Sequence, residues 1–269
     1  MPTLSLANLM VTDADPLRQI DAAAAARFAA VGHCINPRDR LGASLVGDAA
    51  RRRTVKARVA EVAMRILDIE LFPLLPDLEV ASLLPVSEAC ADLGAEFLLV
   101  TGNDADEHRA CDNYAALCDL AAPLRLRPML EFIPCRPLCD IHQAERWLRR
   151  VNRAAAGMCM GALHLFRSGG TLDDLRRIEP RDIGYAQLCD AASMQPSQYF
   201  SEPELLRESR TNRRLPGEGV LPLAQFLAAL PPGLAISVEA PCERYAHLSV
   251  SERVTLAMQT TRRVLAGLR

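Results

Sequence analysis

The sequence predicts an α/β protein of the (β/α)8 TIM-barrel class, folded as one domain over residues 1–269. Eight short runs with strand character alternate with longer segments whose apolar residues recur every three or four positions. Parallel strands joined by helical crossovers produce this alternation, and a closed ring of eight takes about 250 residues, close to the 269 present. The competing architecture, an open doubly wound sheet, carries a glycine-rich nucleotide fingerprint after its first strand. Here "ANLMVTDADP" stands in that place.

Taken in order, the first strand is expected near 3–8 (TLSLAN), with "PLRQIDAAAAARFA" as its helix. The second, near 29–34 (AAVGHC), leads into "DAARRRTVKARVAEVAMR", and the third, near 66–71 (ILDIEL), into "VSEACADLGA". Strand four is expected near 96–101 (FLLVTG) before "HRACDNYAALCDLAAPL", and strand five near 127–133 (RPMLEFI) before "IHQAERWLRRVNRAA". Strand six is read over 158–164 (MCMGALH) before "TLDDLRRI", and strand seven over 183–189 (IGYAQLC) before "LPLAQFLAAL". The eighth, near 234–240 (LAISVEA), precedes the closing helix "VSERVTLAMQTTRRVLAGLR". The long stretch 192–212 reads as a loop, with Tyr199 and Phe200 either lining a pocket or anchoring the loop.

Half of the residues are hydrophobic, which suffices for a sizeable core, and the net charge of -2 leaves no polyanion footprint. The basic runs at 51–53 and 210–214 read as solvated faces, so nucleic acid is not an expected partner. No run is long and apolar enough for a membrane span, and the N-terminal segment reads as a strand and not as a signal peptide. The nine cysteines are odd in number and irregularly spaced, which suits reduced core thiols in a cytoplasmic protein. Cys135 and Cys139 are spaced as a metal pair would be, but no second pair accompanies them. The expected partner is a small-molecule substrate, and a homo-oligomer is compatible with the composition.

In such barrels the active site forms at the C-terminal strand ends. The polar residues there are Glu70, Asn103, Glu131, His164, Gln187, Asp190 and Glu239. Glu131 and Glu239 stand inside apolar runs, where a carboxylate must be paired, protonated or bound to a cation. Residues two apart on a strand share a side, so Glu131 goes with Met129, and Gln187 with Tyr185 and Cys189. If those sides face inward, two carboxylates and an amide oxygen converge. Oxygen donors of that kind suit Mn²⁺ or Mg²⁺. In "SGGTLDDL", Thr171 and Asp174 have capping-box spacing, and the preceding glycines leave backbone amides able to meet a phosphate or carboxylate.

Across nearly its whole length the chain resembles the sugar phosphate isomerase/epimerase-like barrels related to xylose isomerase, tagatose 3-epimerase and inosose dehydratase. The resemblance is carried by "MLEFIP" (129–134), "ALHLFRSGG" (162–170), "IGYAQLCDA" (183–191), "RRLPGEGVLPLAQFLAAL" (213–230) and "ISVEA" (236–240). It implies one divalent metal held by a Glu on strand five, an Asp three residues before a His on strand six, a His on strand seven and a Glu on strand eight. By position these fall on Glu131, Gly161, Gln187 and Glu239, so two of the four usual ligands differ. The implied metal set is then Glu131, Gln187 and Glu239, with Mn²⁺ or Mg²⁺ as the ion.

The resemblance also implies His164 as a substrate contact and Arg214 as the arginine that reaches an oxyanion. The implied activity is isomerisation or epimerisation of a sugar, cyclitol or related hydroxy-carbonyl compound by enediolate proton transfer, with Glu131 and Glu239 as the acid–base pair. Two alternatives stand beside it: a dehydratase-type lyase acting on a keto-cyclitol or dehydroshikimate-like substrate, and a barrel that has lost catalysis and only binds.

Overall fold

A computed structural model describes residues 2–35 and 45–267. Met1 and the last two residues of the expected closing helix lie outside the described residues. Eight parallel strands close into a barrel in sequence order, each hydrogen-bonded to the next and the eighth to the first. They are β1 (Leu4–Leu6), β2 (Ala30–Cys34), β3 (Arg65–Leu74), β4 (Phe97–Gly102), β5 (Arg127–Glu131), β6 (Gly157–Gly161), β7 (Ile183–Leu188) and β8 (Ile236–Val238). The expected (β/α)8 architecture is what the chain adopts.

Alternation along the strands separates two apolar cores. Leu67, Phe97, Leu99, Met129, Cys159 and Tyr185 point into the barrel, where Phe97 and Tyr185 stack with ring centroids 5.2 Å apart. The intervening residues, such as Leu98, Val100, Leu130, Met158 and Ala186, pack outward beneath the helices. The interior is therefore a filled core and not a channel, and only its C-terminal end is open to chemistry.

The outer layer is α1 (Pro16–Ala25), α2 (Ala49–Glu61), α3 (Leu84–Leu93), α4 (Glu107–Ala121), α5 (Ile141–Val151), α6 (Ala162–Arg167), α7 (Leu172–Arg177), α8 (Glu202–Thr211), α9 (Leu223–Ala229) and α10 (Val250–Ala266). Local chemistry sets many of their starts. Asp15, Asp106 and Asp140 cap α1, α4 and α5 through their carboxylates. Thr171 with Asp174, and Ser249 with Glu252, form reciprocal capping boxes at α7 and α10. In α5, Ile141, Ala144, Trp147, Leu148 and Val151 are buried at the three- and four-residue spacing of one helical face.

Two elements depart from expectation. β6 stops at Gly161, and the segment 162–164 begins α6 instead of extending the strand. A short apolar run fits a strand and a buried helix equally well, and here all six residues of α6 are buried. Part of the stretch 192–212, read as a loop, is α8, with Pro203 in its first turn and a Ser201–Glu204 capping box.

Candidate functional site

Strand register builds the site before any side chain is considered. Thr101 pairs with Glu131, Gly161 with Gln187, and Gln187 with Ser237, which sets these positions at one level near the C-terminal ends. Tyr114 of α4 braces β5 against β6: its buried hydroxyl lies 2.9 Å from Pro128 O, and it accepts from Gly157 N at 3.1 Å. Glu131 is thereby held next to the strand that ends in Gly161.

Above this level a cavity of about 240 Å³ is lined by Glu70, Thr101, Asn103, Glu131, His164, Arg213 and Glu239, among others. Glu131 and Glu239 thus converge at one mouth, as their places at the strand ends predict. His164 Nε2 lies 3.5 Å from Glu131 Oε1, too long for a well-formed hydrogen bond. His164 reaches this position from the first turn of α6, not from a strand end.

The arginine at the mouth is Arg213. Its Nη1 donates to Glu239 Oε2 at 2.6 Å and to Glu239 O at 3.1 Å, while its Nε donates to Ser209 O at 2.8 Å. Arg214, the residue expected there, instead exchanges backbone hydrogen bonds with Asp190 at 2.8 Å. Neighbours on an extended segment point to opposite sides, so a one-residue offset exchanges the inward and outward arginine. Arg214 does not line the cavity.

Asp190 explains why Arg213 is held so firmly. Its carboxylate accepts from the backbone amides of Ala191 (2.8 Å), Gly217 (3.1 Å), Gly219 (3.0 Å) and Leu221 (2.9 Å). The "LPGEG" loop wraps tightly around that acid. At Gly219 a Cβ would sit 2.2 Å from Ala191 O and 2.4 Å from Asp190 Oδ1, so only glycine allows the approach.

The protonation states of the cavity follow from burial. Desolvation pushes the Glu131 carboxyl well above the usual range; the Glu239 charge adds to this and Arg213 opposes it. Burial also holds His164 well below its ordinary value, helped by the Arg213 and Arg167 charges, so its imidazole is neutral. Burial works against the Arg213 charge, but Glu239, Cys189 and Glu131 together overcome it and hold the guanidinium above its ordinary value. Both ring nitrogens of His164 and both amide atoms of Gln187 are buried without a hydrogen-bond partner among the described residues. Such atoms await a polar guest.

A divalent ion is a poor match for this donor set. Gly161 offers no side-chain donor, Gln187 offers a neutral amide, and Glu239 is already bonded to a guanidinium. An ion bridging Glu131 and Glu239 would lie against the Arg213 charge, a repulsion of several kcal/mol even at an effective dielectric of about 20. Among the described residues no group of three or more His, Cys, Asp or Glu side chains is arranged to hold a metal. Of the metal set Glu131, Gln187 and Glu239 expected by resemblance, Glu131 and Glu239 line the cavity, Gln187 is buried on β7 beside Gly161, and Glu239 is paired with Arg213. Cys135 and Cys139 likewise belong to no such group; the Cys139 thiol faces Asp140 Oδ2 at 3.6 Å.

The "SGGTLDDL" turn has another role than anion binding. Gly169 N bonds Phe166 O at 3.1 Å, Gly170 N bonds Leu165 O at 2.9 Å, and Thr171 N bonds Asp174 Oδ2 at 2.8 Å. The two glycine amides expected to meet an anion are thus already bonded within the turn. Arg167, just before it, is buried and grips both Glu208 oxygens at 2.7 Å while stacking on Phe200 at 4.7 Å. This ties α8 over the mouth, and it makes Phe200 an anchor. Tyr199 is largely exposed and outside the cavity lining.

Asp68 is a buried acid below the site that the sequence pattern could have flagged, since "ILDIEL" surrounds it with apolar residues as Glu131 is surrounded. It is 2 % exposed inside the barrel, its Oδ2 3.5 Å from the Tyr185 hydroxyl. Burial raises its pKa well above the ordinary value, and the charges of Glu70 and Glu239 raise it further. A carboxyl raised by folding contributes stability below its unfolded pKa of about 3.9 and loses it as pH climbs through the folded value. Asp68→Asn is therefore expected to melt above the wild type near pH 8, with the gap closing toward pH 4. Thermal melts across that range check this, and a gap independent of pH would mean that Asp68 is not held protonated.

Comparison with known proteins places this geometry. The model of the xylose isomerase-like TIM barrel family matches residues 20–264. Among solved structures, the IolI protein with a bound zinc atom superimposes with a TM-score of 0.82 at 18 % identity, over 99 % of both chains. The probable 3-DHS dehydratase AsbF of Bacillus anthracis gives 0.77 at 14 % identity, over 97 % of this chain and 99 % of that one. D-psicose 3-epimerase of Clostridium cellulolyticum H10 with D-tagatose gives 0.75 at 12 %, over 98 % and 99 %. No curated protein matches the sequence.

Proposed function

The chain belongs to the xylose isomerase-like TIM barrel family, and from that premise we propose that it is an isomerase or epimerase of a sugar, cyclitol or related hydroxy-carbonyl compound. The observation that carries this reading is the meeting of Glu131, Glu239, His164 and Arg213 in one cavity at the C-terminal mouth. Two carboxyl groups in different states, one favouring its protonated form and one balanced by a guanidinium, are the pair that proton transfer requires.

In this scheme the Glu239 carboxylate takes the proton from the carbon next to the substrate carbonyl. The C–H electron pair forms the carbon–carbon double bond of an enediolate, and the carbonyl oxygen takes the negative charge. The Nη2 of Arg213 makes no hydrogen bond among the described residues and stabilises that oxygen. Glu131 returns a proton to carbon, and the neutral His164 and the Gln187 amide hold hydroxyl groups.

The test is solvent exchange followed by proton NMR in deuterium oxide, with ketoses and keto-cyclitols as substrates. Deuterium is expected to enter beside the carbonyl. Glu131→Gln and Glu239→Gln should each slow that exchange by about 10²–10⁴ while remaining folded. Unimpaired exchange in both variants would sink the assignment. The elevated pKa of Glu131 also favours a second reading, since a protonated carboxyl can supply the proton to a departing β-hydroxyl. Water loss with appearance of an enone, in place of exchange into recovered substrate, identifies that dehydratase chemistry.

A further inference from the structure

We infer that the substrate carries an anionic group, a carboxylate or a phosphate ester, remote from its reacting carbon and held by Arg136 and Arg210. This deepens the proposed function and rests on it for the location of the reacting carbon. Both arginines line the same cavity as Glu131 and Glu239, but from its outer side. Arg136 comes from the turn after β5, which is closed by Ile133 N to Leu138 O (2.9 Å) and Arg136 N to Ile133 O (2.8 Å). Arg210 comes from the last turn of α8, three residues before Arg213.

The acids of the cavity are engaged elsewhere: Glu239 bonds Arg213 at 2.6 Å, Glu70 accepts from Asn8 at 2.8 Å, and burial favours the neutral form of Glu131. Arg136 and Arg210, by contrast, have no ion pair and no side-chain hydrogen bond among the described residues. Many other arginines of the chain do find acids, as in Arg52 with Asp92, Arg109 with Asp104 and Arg207 with Glu243. Both guanidinia line this one cavity of about 240 Å³.

Two unmatched guanidinia on one wall of a small polar cavity bind a planar carboxylate or a phosphate in preference to a hydroxyl group. The deep end keeps the neutral donors and acceptors of His164, Thr101 and Asn103 for the hydroxyl-bearing part. Asn103 Oδ1 already accepts from Thr101 at 2.7 Å, which leaves its NH2 group as the donor. The cavity is thus polarised from a cationic rim to a reacting floor, and it orients a hydroxy-carbonyl acid in one direction only.

Isothermal titration with three probes tests this: D-fructose, which is neutral, D-glucuronate and D-fructose 6-phosphate. Wild-type protein is expected to bind one or both charged probes at least about tenfold more tightly than D-fructose. The stronger of the two identifies carboxylate or phosphate. Arg136→Gln combined with Arg210→Gln should abolish that preference. Neither residue packs in the core, so an unaltered melting temperature is expected. Equal affinity for neutral and charged probes, no binding of either acid, or a preference that survives the double substitution would overturn the inference. Titration needs no turnover: an anion preference without solvent exchange would defeat the proposed reaction and leave this site standing, and exchange without anion preference would do the reverse.

Discussion

Arg213→Met is expected to lower kcat/KM by about 10²–10³, the usual cost of removing one donor to a developing oxyanion. The same variant should be less stable by about 3–5 kcal/mol, because Glu239 would keep a buried charge with no guanidinium beside it. Both groups of the pair are almost fully enclosed, at 4 % and 3 % side-chain exposure, so water cannot make up the loss. Arg213→Lys should recover part of each quantity, since it keeps the charge but not the fork that reaches Glu239 and Ser209 together. The informative variant is Arg213→Met with Glu239→Met. Replacing the whole pair by apolar groups of similar volume removes the stranded charge, so urea unfolding should show stability returning toward the wild type while turnover stays lost. Full activity in Arg213→Met, or no recovery in the double variant, would show that the pair is neither electrophile nor buried couple.

The same pair shows where reading the sequence works and where it stops. Glu131 and Glu239 are legible because an acid inside an apolar strand has few ways to be stable, and strand period then fixes the side it faces. Met129 and Tyr185, assigned to the sides of Glu131 and Gln187, do lie in the barrel interior. Arg213 is not legible in the same way. "TNRRLPGEG" offers two adjacent arginines, and which one turns inward depends on where Asp190 clasps the loop, a contact between residues 27 and 29 apart. Neither arginine alone announces it.

The end of β6 fails for another reason. "MCMGALH" is apolar throughout, so neither a two-residue nor a 3.6-residue period is expressed, and only the packing of α6 against β6 and β7 decides the matter. The helix α8 is the opposite case. Its start signal, Ser201 with Pro203 and Glu204, is plain in the chain, and its ion pair with Arg167 could not be. What remains hidden from sequence is the charge balance of the mouth. It depends on Arg136 from the turn after β5 meeting Arg210 and Arg213 from the end of α8, a relation that local pattern does not show.

Gly161→Asp combined with Gln187→His is expected to create a Mn²⁺ site at least about tenfold tighter than any in the wild type, measured by calorimetric titration without substrate. The substitutions have room. A Cβ at Gly161 would meet His164 Cδ2 at 3.4 Å and Gln187 Oε1 at 3.6 Å, ordinary contacts in a direction that faces position 187. Gly161 and Gln187 are also register partners on β6 and β7, so new carboxylate and imidazole groups start from adjacent strands. With Glu131 they supply three donors, and Glu239 becomes the fourth if it releases Arg213. That release is the weak point, since the ion and the guanidinium compete for one carboxylate. Adding Arg213→Met should therefore tighten Mn²⁺ binding again, because it removes the competing cation and frees Glu239 to ligate. An affinity that rises with the double substitution and rises further with the triple one identifies charge competition as what weakens ion binding in the native chain. A rise with the double substitution alone would assign the exclusion to missing donors. No rise in a folded triple variant would show that positions 161 and 187 do not share a centre with Glu131 and Glu239.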